Sequence, residues 1–406
     1  RGYVLRRIIR RAIRHGHKIG IDKVFFYRLA PVLALEMKDV YPELKKALAN
    51  VEKVLKREEQ RFAQTLDQGM GILEEAIANL KGSQIDGETV FKLYDTFGFP
   101  VDLTADVARE RDLTIDMPGF EAEMTKQRDR ARSAGDFKTT QKGVDISDAT
   151  EFLGYEQLEN SSSVQALIKD GELVDSIDAG DNAIIVLAQS SFYGESGGQV
   201  GDSGLLSNVD VKFDVNNTQK QKSGAFEHHG VLNSGILKVS DVVSASVDKN
   251  RRKRIARNHS ATHLLHAALR TVLGETVTQK GSLVDGDKLR FDFSHDEVIS
   301  KADIDKIEGM VNRKILGNTI VHTDVTDIKT AKKNGAMALF GEKYGNTVRV
   351  LTMGKDDFSV ELCGGTHVNQ LGDIGLFRIT SEGGIAAGVR RIEAMSGYDA
   401  YQFDKQ

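Results

Sequence analysis

The chain has 406 residues, of which 40% are hydrophobic and 28% are charged, a composition typical of an ordinary soluble globular protein. This length allows two to four domains, and no apolar run approaches the roughly 18–20 residues that cross a bilayer. The net charge of −4 neither indicates nor excludes a nucleic-acid partner, so the placement of basic residues along the chain matters more.

The start of the chain and its cysteine content bear on origin and location. No apolar segment with a small-residue cleavage site follows the basic start, so no secretory signal is predicted. The chain lacks an initial methionine and begins inside a helical pattern, which indicates a piece of a longer protein. A single cysteine, Cys363, allows no internal disulfide, and we expect a cytoplasmic protein with a metal-bound or free thiol.

Residues 3–15 predict an amphipathic helix with apolar residues on one face and arginines on the other. The arginines are Arg6, Arg7, Arg10, Arg11 and Arg14. Five guanidinium groups on one face suit the binding of phosphates, although a solvated helix face would give the same pattern.

Helical patterns continue to about residue 134. A long one covers residues 43–81, a short one runs from Gly87 into a Gly/Pro turn at Pro100, and a charged one covers residues 119–134. Residues 135–148 are polar and lack periodicity, so we predict a linker there. The sequence therefore predicts an all-helical domain over residues 1–148.

Short β-type runs separated by Gly, Asp and Ser turns follow, and they predict a small β-barrel over residues 149–250. The runs are Val164–Leu167, Leu173–Ile177, Ala183–Ala188, Val209–Val215 and Val242–Val247. Between them lies a glycine-dense segment that contains Gly197, Gly198 and Gln199. Its glycines permit close approach of the backbone to a ligand, and a simple hairpin loop is the alternative interpretation.

Helical and strand patterns mix over residues 251–406, which predicts an α+β domain with a largely antiparallel sheet. The domain opens with a second basic cluster. Its members are Arg251, Arg252, Lys253, Arg254 and Arg257. Two local basic patches on a mildly acidic chain suggest a polyanion that is contacted at defined places, with solvated helix faces as the alternative.

Four residues of this last domain suit a zinc site. His259 and His263 are four residues apart in a helical pattern, so both imidazoles lie on one face. Cys363 and His367 flank two glycines that permit a tight turn. One thiolate and three imidazoles match the ligands that Zn²⁺ prefers, although a lone histidine or cysteine is more often a core residue.

Polar residues near the two histidines are candidates for a pocket. Thr262 directly precedes His263, and Gln279 follows the same helix after a short connection. A hydroxyl and an amide there can read a substrate hydroxyl or orient water, whereas simple solvent exposure is the alternative. Four protein ligands would close a structural zinc site, and a catalytic site would keep one position open or exchangeable.

The order and content of these motifs resemble the bacterial alanyl-tRNA synthetases from one end of the chain to the other. The matching segments are Arg1–Arg7 with Arg14–Gly16, Leu93–Pro100, Tyr193–Gly204, Arg257–Leu265, Gln279–Leu283, Arg290–His295, Gly335–Tyr344, Cys363–Val368 and Gly388–Ala394.

The resemblance implies a role for each domain. Residues 1–148 would be a tRNA-recognition domain, truncated at its N-terminus, that binds the acceptor stem of tRNA(Ala), with Asp95 at a position implicated in reading a G·U pair. The barrel (149–250) and the α+β core (251–406) would form an editing module similar to that of threonyl-tRNA synthetase.

The resemblance also implies roles for single residues. His259, His263, Cys363 and His367 would bind the zinc ion of the editing site. Thr262, Gln279 and Cys363 would take part in editing, and Gly197, Gly198 and Gln199 would form its glycine loop.

The implied reaction is removal of serine, and also glycine, from mischarged tRNA(Ala). By the same resemblance the whole protein would attach alanine to tRNA(Ala) with ATP and Mg²⁺, in an active site that this chain lacks. Elements for oligomerisation would also lie outside the chain. Two other readings are a free-standing trans-editing deacylase, which the long helical region disfavours, and a non-catalytic RNA-binding module with a structural zinc ion.

Overall fold

The computed structural model describes residues 2–21, 23–80, 82–134, 144, 146–338, 345–386 and 388–405. They belong to two compact units, residues 1–139 and residues 140–406. Most of the predicted linker at residues 135–148 lies outside the described residues, as does the end of the Gly335–Tyr344 motif. The three-domain division with boundaries at residues 148 and 250 stays a prediction.

The first unit is mainly helical. Its helices are α1 (Gly2–Lys18), α2 (Leu29–Glu36), α3 (Glu43–Ala78), α4 (Gly87–Asp95), α5 (Val101–Arg109) and α6 (Met117–Ala134), with a 3-10 turn at Phe26–Arg28. Two short strands pair in parallel. The strand β1 (Gln84–Ile85) lies in the connection between α3 and α4, and β2 (Thr114–Ile115) lies in the connection between α5 and α6. The Asp86 side chain caps α4 by accepting the Thr89 N–H at 2.8 Å.

The predicted apolar face of the helix α1 is only partly buried. Ile9 and Ile13 are buried in a core with Phe62 and Leu66 of α3, whereas Val4, Leu5 and Ile8 are each 58–59% exposed. The arginine side is also partly covered, and Arg14 is only 6% exposed. Periodicity identified the helix, but it could not tell which apolar residues would find a partner in this unit.

The second unit begins with a closed antiparallel barrel, as predicted. Its strands are β4 (Glu159–Lys169), β7 (Asn182–Leu187), β9 (Gly204–Ser207), β10 (Lys212–Lys220), β11 (Phe226–Ser234) and β13 (Val242–Val247), and the pairing order is β13-β9-β10-β11-β7-β4. Pairing of Val242–Ser246 with Ser163–Glu159 returns β13 to β4 and closes the ring. Apolar side chains that alternate along these strands fill the interior.

Five shorter strands lie outside the six-stranded ring among the described residues. These are β3 (Glu151–Phe152), β5 (Glu172–Val174), β6 (Ser176–Asp178), β8 (Gln189–Ser190) and β12 (Ile236–Lys238). The strand predicted over Leu173–Ile177 is divided between β5 and β6, outside the closed ring. The strands β9 and β11 were not predicted, because β9 follows the glycine-dense segment and β11 contains His228, His229 and Gly230 rather than a β-branched run.

The remaining residues combine helices with two antiparallel sheets. The helices are α7 (Lys249–Leu273), α8 (Lys301–Leu316), α9 (Ile328–Lys333) and α10 (Tyr398–Phe403). One sheet has the order β14 (Gln279–Val284), β15 (Leu289–Ser294), β20 (Val389–Ser396), β19 (Phe377–Ala386), and the other is β16 (His322–Asp327), β17 (Thr347–Met353), β18 (Ser359–Leu362). Further 3-10 turns lie at Lys355–Asp357 and Leu371–Ile374.

Helix α7 is the central element of this unit. Asp248 caps it by accepting the N–H groups of Asn250 and Arg251 at 2.9 and 3.0 Å. Its apolar residues pack into one core with α8 and the four-stranded sheet. Polar residues on the same helix, among them His259 and His263, are also buried. Buried polar side chains need partners, so this helix is where a site is expected.

A buried ion pair attaches the barrel's glycine-rich segment to α7. The carboxylate of Asp202 accepts from Nε of Arg252 at 2.9 Å and also from the Tyr193 N–H at 2.7 Å. Arg252 in turn donates to the carbonyl oxygens of Gly154 and Ser191, both at 2.8 Å. Both charged residues are at most 5% exposed, and Asp202 lies three residues after Gln199 in the same segment.

Candidate metal centre

The four predicted ligands come together in the second unit. His259 and His263 lie one turn apart on α7, and Cys363 and His367 lie in the turn that follows β18. One ligand atom from each residue lies within 4.8 Å of all the others. Among the described residues, this is the group of His, Cys, Asp or Glu side chains that could hold a metal ion.

The distances inside this cluster fit zinc. The Cys363 Sγ lies 3.4 Å from Nε2 of His259 and 3.3 Å from Nε2 of His367. Sulfur and nitrogen ligands on one tetrahedral Zn²⁺ are separated by about 3.5 Å when Zn–S is about 2.3 Å and Zn–N about 2.0 Å. The buried Nε2 of His263 has no hydrogen-bond partner among the described residues, as expected of an atom reserved for a metal.

Each imidazole is oriented through its other nitrogen. Nδ1 of His259 lies 2.7 Å from Oε1 of Gln199, and Nδ1 of His263 lies 2.7 Å from Oε2 of Glu361. Nδ1 of His367 lies 3.3 Å from the Ser260 hydroxyl. Such partners fix the tautomer in which Nε2 carries a free lone pair, and they are a general feature of metal-binding histidines.

The electrostatic setting favours the thiolate form of Cys363. Burial raises the pKa of the thiol, but the neighbouring His259, His367 and His263 outweigh burial and hold its pKa well below the usual range. A thiolate is the form of cysteine that binds metals, so the sulfur is prepared for a cation without a separate base.

The carboxylate of Glu361 joins two histidines and was not predicted from the sequence. It accepts from Nδ1 of His263 at 2.7 Å and from Nδ1 of His266 at 2.8 Å, and it is 3% exposed. Burial alone would raise the pKa of the Glu361 carboxyl group. The neighbouring His263 and His266 have the larger, opposite effect and lower this pKa to about 2. Glu361 lies on β18, and Cys363 directly follows that strand, with its N–H bonded to the Arg349 carbonyl oxygen of β17 at 3.0 Å. Strand alternation extended by one residue would place both side chains on one face, so this signal was available.

We expect Glu361→Gln to weaken zinc binding by about 10–100-fold, because a neutral amide cannot accept from both imidazoles as the carboxylate does. Competition with a chromophoric zinc chelator at neutral pH measures the change. Glu172→Gln, at an exposed position of the strand β5, is the matched control and should bind zinc as the unaltered chain does. Equal affinity for Glu361→Gln and the control would remove this role from Glu361.

The predicted glycine loop contacts the metal centre through Gln199. Besides holding His259, Oε1 of Gln199 accepts the Thr366 N–H at 3.0 Å, and its Nε2 donates to the Thr366 hydroxyl at 3.0 Å. Gly198 has a positive φ of 85°, and a Cβ there would lie 2.6 Å from the Ser282 carbonyl oxygen. The segment therefore docks closely on β14 instead of forming a free hairpin loop.

Thr262 and Gln279 line a cavity beside the cluster. The cavity has a volume of about 360 Å³, and His263, His266 and Cys363 contribute to its wall. The Thr262 hydroxyl donates to the Asn258 carbonyl oxygen at 2.8 Å, so its lone pairs remain to accept a hydrogen bond from a ligand. We call this space the metal cavity.

The predicted tRNA-binding residues of the first unit have partners within that unit. The ion pairs are Arg7–Asp102 (2.9 Å), Arg10–Glu58 (2.8 Å), Arg11–Asp106 (2.9 Å), Arg14–Glu110 (3.0 Å) and Arg6–Glu58 (3.9 Å). Asp95, at the exposed end of α4, accepts a hydrogen bond from the Gln127 amide. The arginines thus form a row of paired charges, and their contact with RNA stays a prediction.

Comparison with known proteins identifies the family. The family described as tRNA synthetases class II (A) matches residues 1–251, and the one described as threonyl and alanyl tRNA synthetase second additional domain matches residues 348–393. The chain therefore belongs to the class II (A) tRNA synthetases.

The curated relatives it matches include alanine–tRNA ligases, which confirms the resemblance found in the sequence motifs. The chain is 78% identical to the alanine–tRNA ligase of Ruthia magnifica and 74% identical to that of Vesicomyosocius okutanii, in each case over all 406 residues and 47% of the relative. It is 57% identical to the alanine–tRNA ligase of Pseudomonas fluorescens over 404 residues, 99% of the chain and 46% of the relative. The chain spans about half the length of these curated relatives.

None of the described helices combines the length and apolar character that a membrane crossing requires.

Proposed function

We propose that this chain is the part of an alanine–tRNA ligase that removes wrongly attached amino acids from tRNA(Ala). The observation that carries the proposal is the metal centre, in which three oriented imidazoles and one thiolate lie beside a cavity lined by Thr262 and Gln279. The match of residues 348–393 to a domain named for threonyl and alanyl tRNA synthetases supports it.

The need for a second site follows from the size of the amino acids. A pocket for alanine meets serine, which adds one hydroxyl, and glycine, which is smaller. Contacts in one pocket separate such near-isosteres by only about 10–200-fold. A hydrolytic site that accepts a hydrogen bond from the serine hydroxyl adds a second selection step.

The residues of this chain have distinct tasks in the proposed reaction. His259, His263, Cys363 and His367 would hold Zn²⁺, and with one of the four positions exchangeable the ion would supply a Lewis acid for the polar groups of the substrate. Thr262 accepts from the serine hydroxyl, and Gln279 orients the ester or the water. Water adds to the ester carbonyl, the bond to the ribose oxygen breaks, and that oxygen takes a proton, which yields serine and intact tRNA(Ala).

The remaining assignments follow from the same proposal. Residues 1–148 bind the acceptor stem of tRNA(Ala), with Asp95 and the arginines of α1 as contacts, and residues 149–250 and 251–406 form the two parts of the editing module. The whole protein attaches alanine with ATP and Mg²⁺ and works in the cytoplasm.

Incubation of the 406-residue chain with serine-charged and alanine-charged tRNA(Ala) tests the proposal. We expect rapid loss of serine and retention of alanine, measured by acid-precipitable radiolabel. Retention of both amino acids would contradict the proposal and favour a non-catalytic RNA-binding module. Equal loss of both would contradict the role of Thr262 in selecting serine.

A further inference from the structure

A second cavity adjoins the metal cavity and has no role in the functions discussed so far. It has a volume of about 540 Å³, within the range of sites that hold a compact ligand. The turn after β18 contributes Thr366 and His367 to this cavity and Cys363, Gly364 and Gly365 to the metal cavity. The turn that holds the metal ligands therefore lies between the two spaces. We call the second space the basic cavity, defined by Tyr155, Lys253, Arg257, Arg349, Thr366 and His367.

The basic cavity carries cations without carboxylate partners. Lys253, Arg257 and Arg349 line it, and none of the three forms an ion pair within the described part of the chain. Arg257 uses one N–H to reach the Asp373 backbone oxygen at 2.9 Å. Two carboxylates also line the cavity, Glu156 and Asp373, and the latter lies 3.4 Å from the Gln370 N–H as part of a capping box. The available charge is therefore positive and suits an anion.

The cavity also offers a surface for stacking. The Arg349 guanidinium lies over the Tyr155 ring with its Cζ 3.4 Å from the ring centroid, and Tyr155 is 44% exposed. The Tyr155 hydroxyl donates to the Gly364 carbonyl oxygen at 2.6 Å, which ties this pair to the metal-binding turn. Aromatic rings and arginine planes beside cations are the usual means by which proteins hold unpaired nucleotides.

We propose that the basic cavity binds the single-stranded 3′ segment of the tRNA immediately before its acylated nucleotide. Lys253 and Arg257 contact its phosphates, and the Tyr155–Arg349 pair stacks on one base. The acylated end then passes the Cys363–His367 turn into the metal cavity. This inference rests on the proposed function, because it assumes that tRNA is the substrate, and it adds where the strand is held.

Binding of uncharged tRNA(Ala) over a series of salt concentrations tests the inference. Two RNAs are compared, intact tRNA(Ala) and the same RNA without its three 3′-terminal nucleotides. Lys253→Ala is the informative variant, because Lys253 is exposed on α7 and forms no ion pair with another described residue that its removal would leave unpaired. Lys306→Ala, at an exposed position of α8 that lines neither cavity, is the matched control.

For intact tRNA(Ala) we expect Lys253→Ala to weaken binding on the order of fivefold at low salt. The plot of the logarithm of the association constant against the logarithm of salt concentration has a negative slope. The substitution should make this slope less steep by about 0.7, the effect of one lost phosphate contact to a single strand. The truncated RNA should bind the variant and the unaltered chain equally, and Lys306→Ala should leave both RNAs unaffected.

An equal effect of Lys253→Ala on both RNAs would place the contact on the duplex and overturn the inference, as would the absence of any effect on intact tRNA(Ala). Because the RNA is uncharged, this result is independent of hydrolysis. A chain that retains serine on tRNA(Ala) but shows the 3′-dependent loss would contradict the proposed reaction and leave this binding site standing.

Discussion

Replacing Cys363 with alanine is expected to abolish measurable zinc binding and to slow the hydrolysis of Ser-tRNA(Ala) by roughly 100-fold or more. The sulfur is the only anionic ligand in the set of four. Its removal leaves three neutral imidazoles around a divalent cation. The variant should still bind uncharged tRNA(Ala), because no cation of the basic cavity is altered.

Zinc content by atomic emission and deacylation of Ser-tRNA(Ala) are measured on the same preparations. Thr262→Val is the matched comparison, because it keeps the shape of the side chain and all four ligands. We expect it to retain zinc, to keep its fold, and to lose preference for serine over alanine. Hydrolysis by Cys363→Ala at the unaltered rate would show that the reaction takes place elsewhere in the chain.

The second large effect is expected from Asp202→Asn, which should reduce the free energy of unfolding of residues 140–406 by about 3–5 kcal/mol. The substitution leaves the Arg252 guanidinium buried at 5% exposure without its compensating charge. It also weakens the acceptor that holds the Tyr193 N–H. Since the same segment carries Gln199, zinc affinity should fall together with stability.

Hydrogen exchange of the barrel amides measures this loss, because their opening free energies report on the second unit alone. Asp210→Asn, at an exposed position of the same barrel, is the control and should change these values by less than about 0.5 kcal/mol. Protection in Asp202→Asn equal to that of the control would mean that Arg252 finds sufficient compensation in the carbonyl groups of Gly154 and Ser191.

Local spacing in the sequence was enough to single out the four side chains that the structure brings into one cluster. Two histidines one helical turn apart and a cysteine and a histidine around two glycines are patterns whose geometry is settled within a few residues. The structure places all four side chains within reach of one ion. Glu361 was also within reach of such reasoning, because strand alternation extended by one residue would put it on the same face as Cys363.

Contacts between distant segments could not be read in this way. Gln199 meets His259 across 60 residues and Thr366 across 167, and no local pattern encodes either pairing. The arginines of α1 show the same limitation. Their spacing indicated a cationic helix face, but carboxylates that are distant in sequence form ion pairs with them. These carboxylates lie on α3, on α5 and directly after α5. Sequence patterns indicate which side chains share one face of a helix or strand. The contacts of that face with distant segments become visible only in the folded structure.

The single cysteine of this chain has a practical consequence. Cys363 is only partly buried and is the sole thiol among 406 residues. A thiolate engaged by Zn²⁺ reacts slowly with alkylating reagents, whereas the metal-free thiolate is a nucleophile that reagents reach through the metal cavity. Each metal-free molecule therefore gains the mass of one alkyl group, and the unlabelled fraction gives the metal occupancy of the four-residue cluster in the same sample that is used for kinetics.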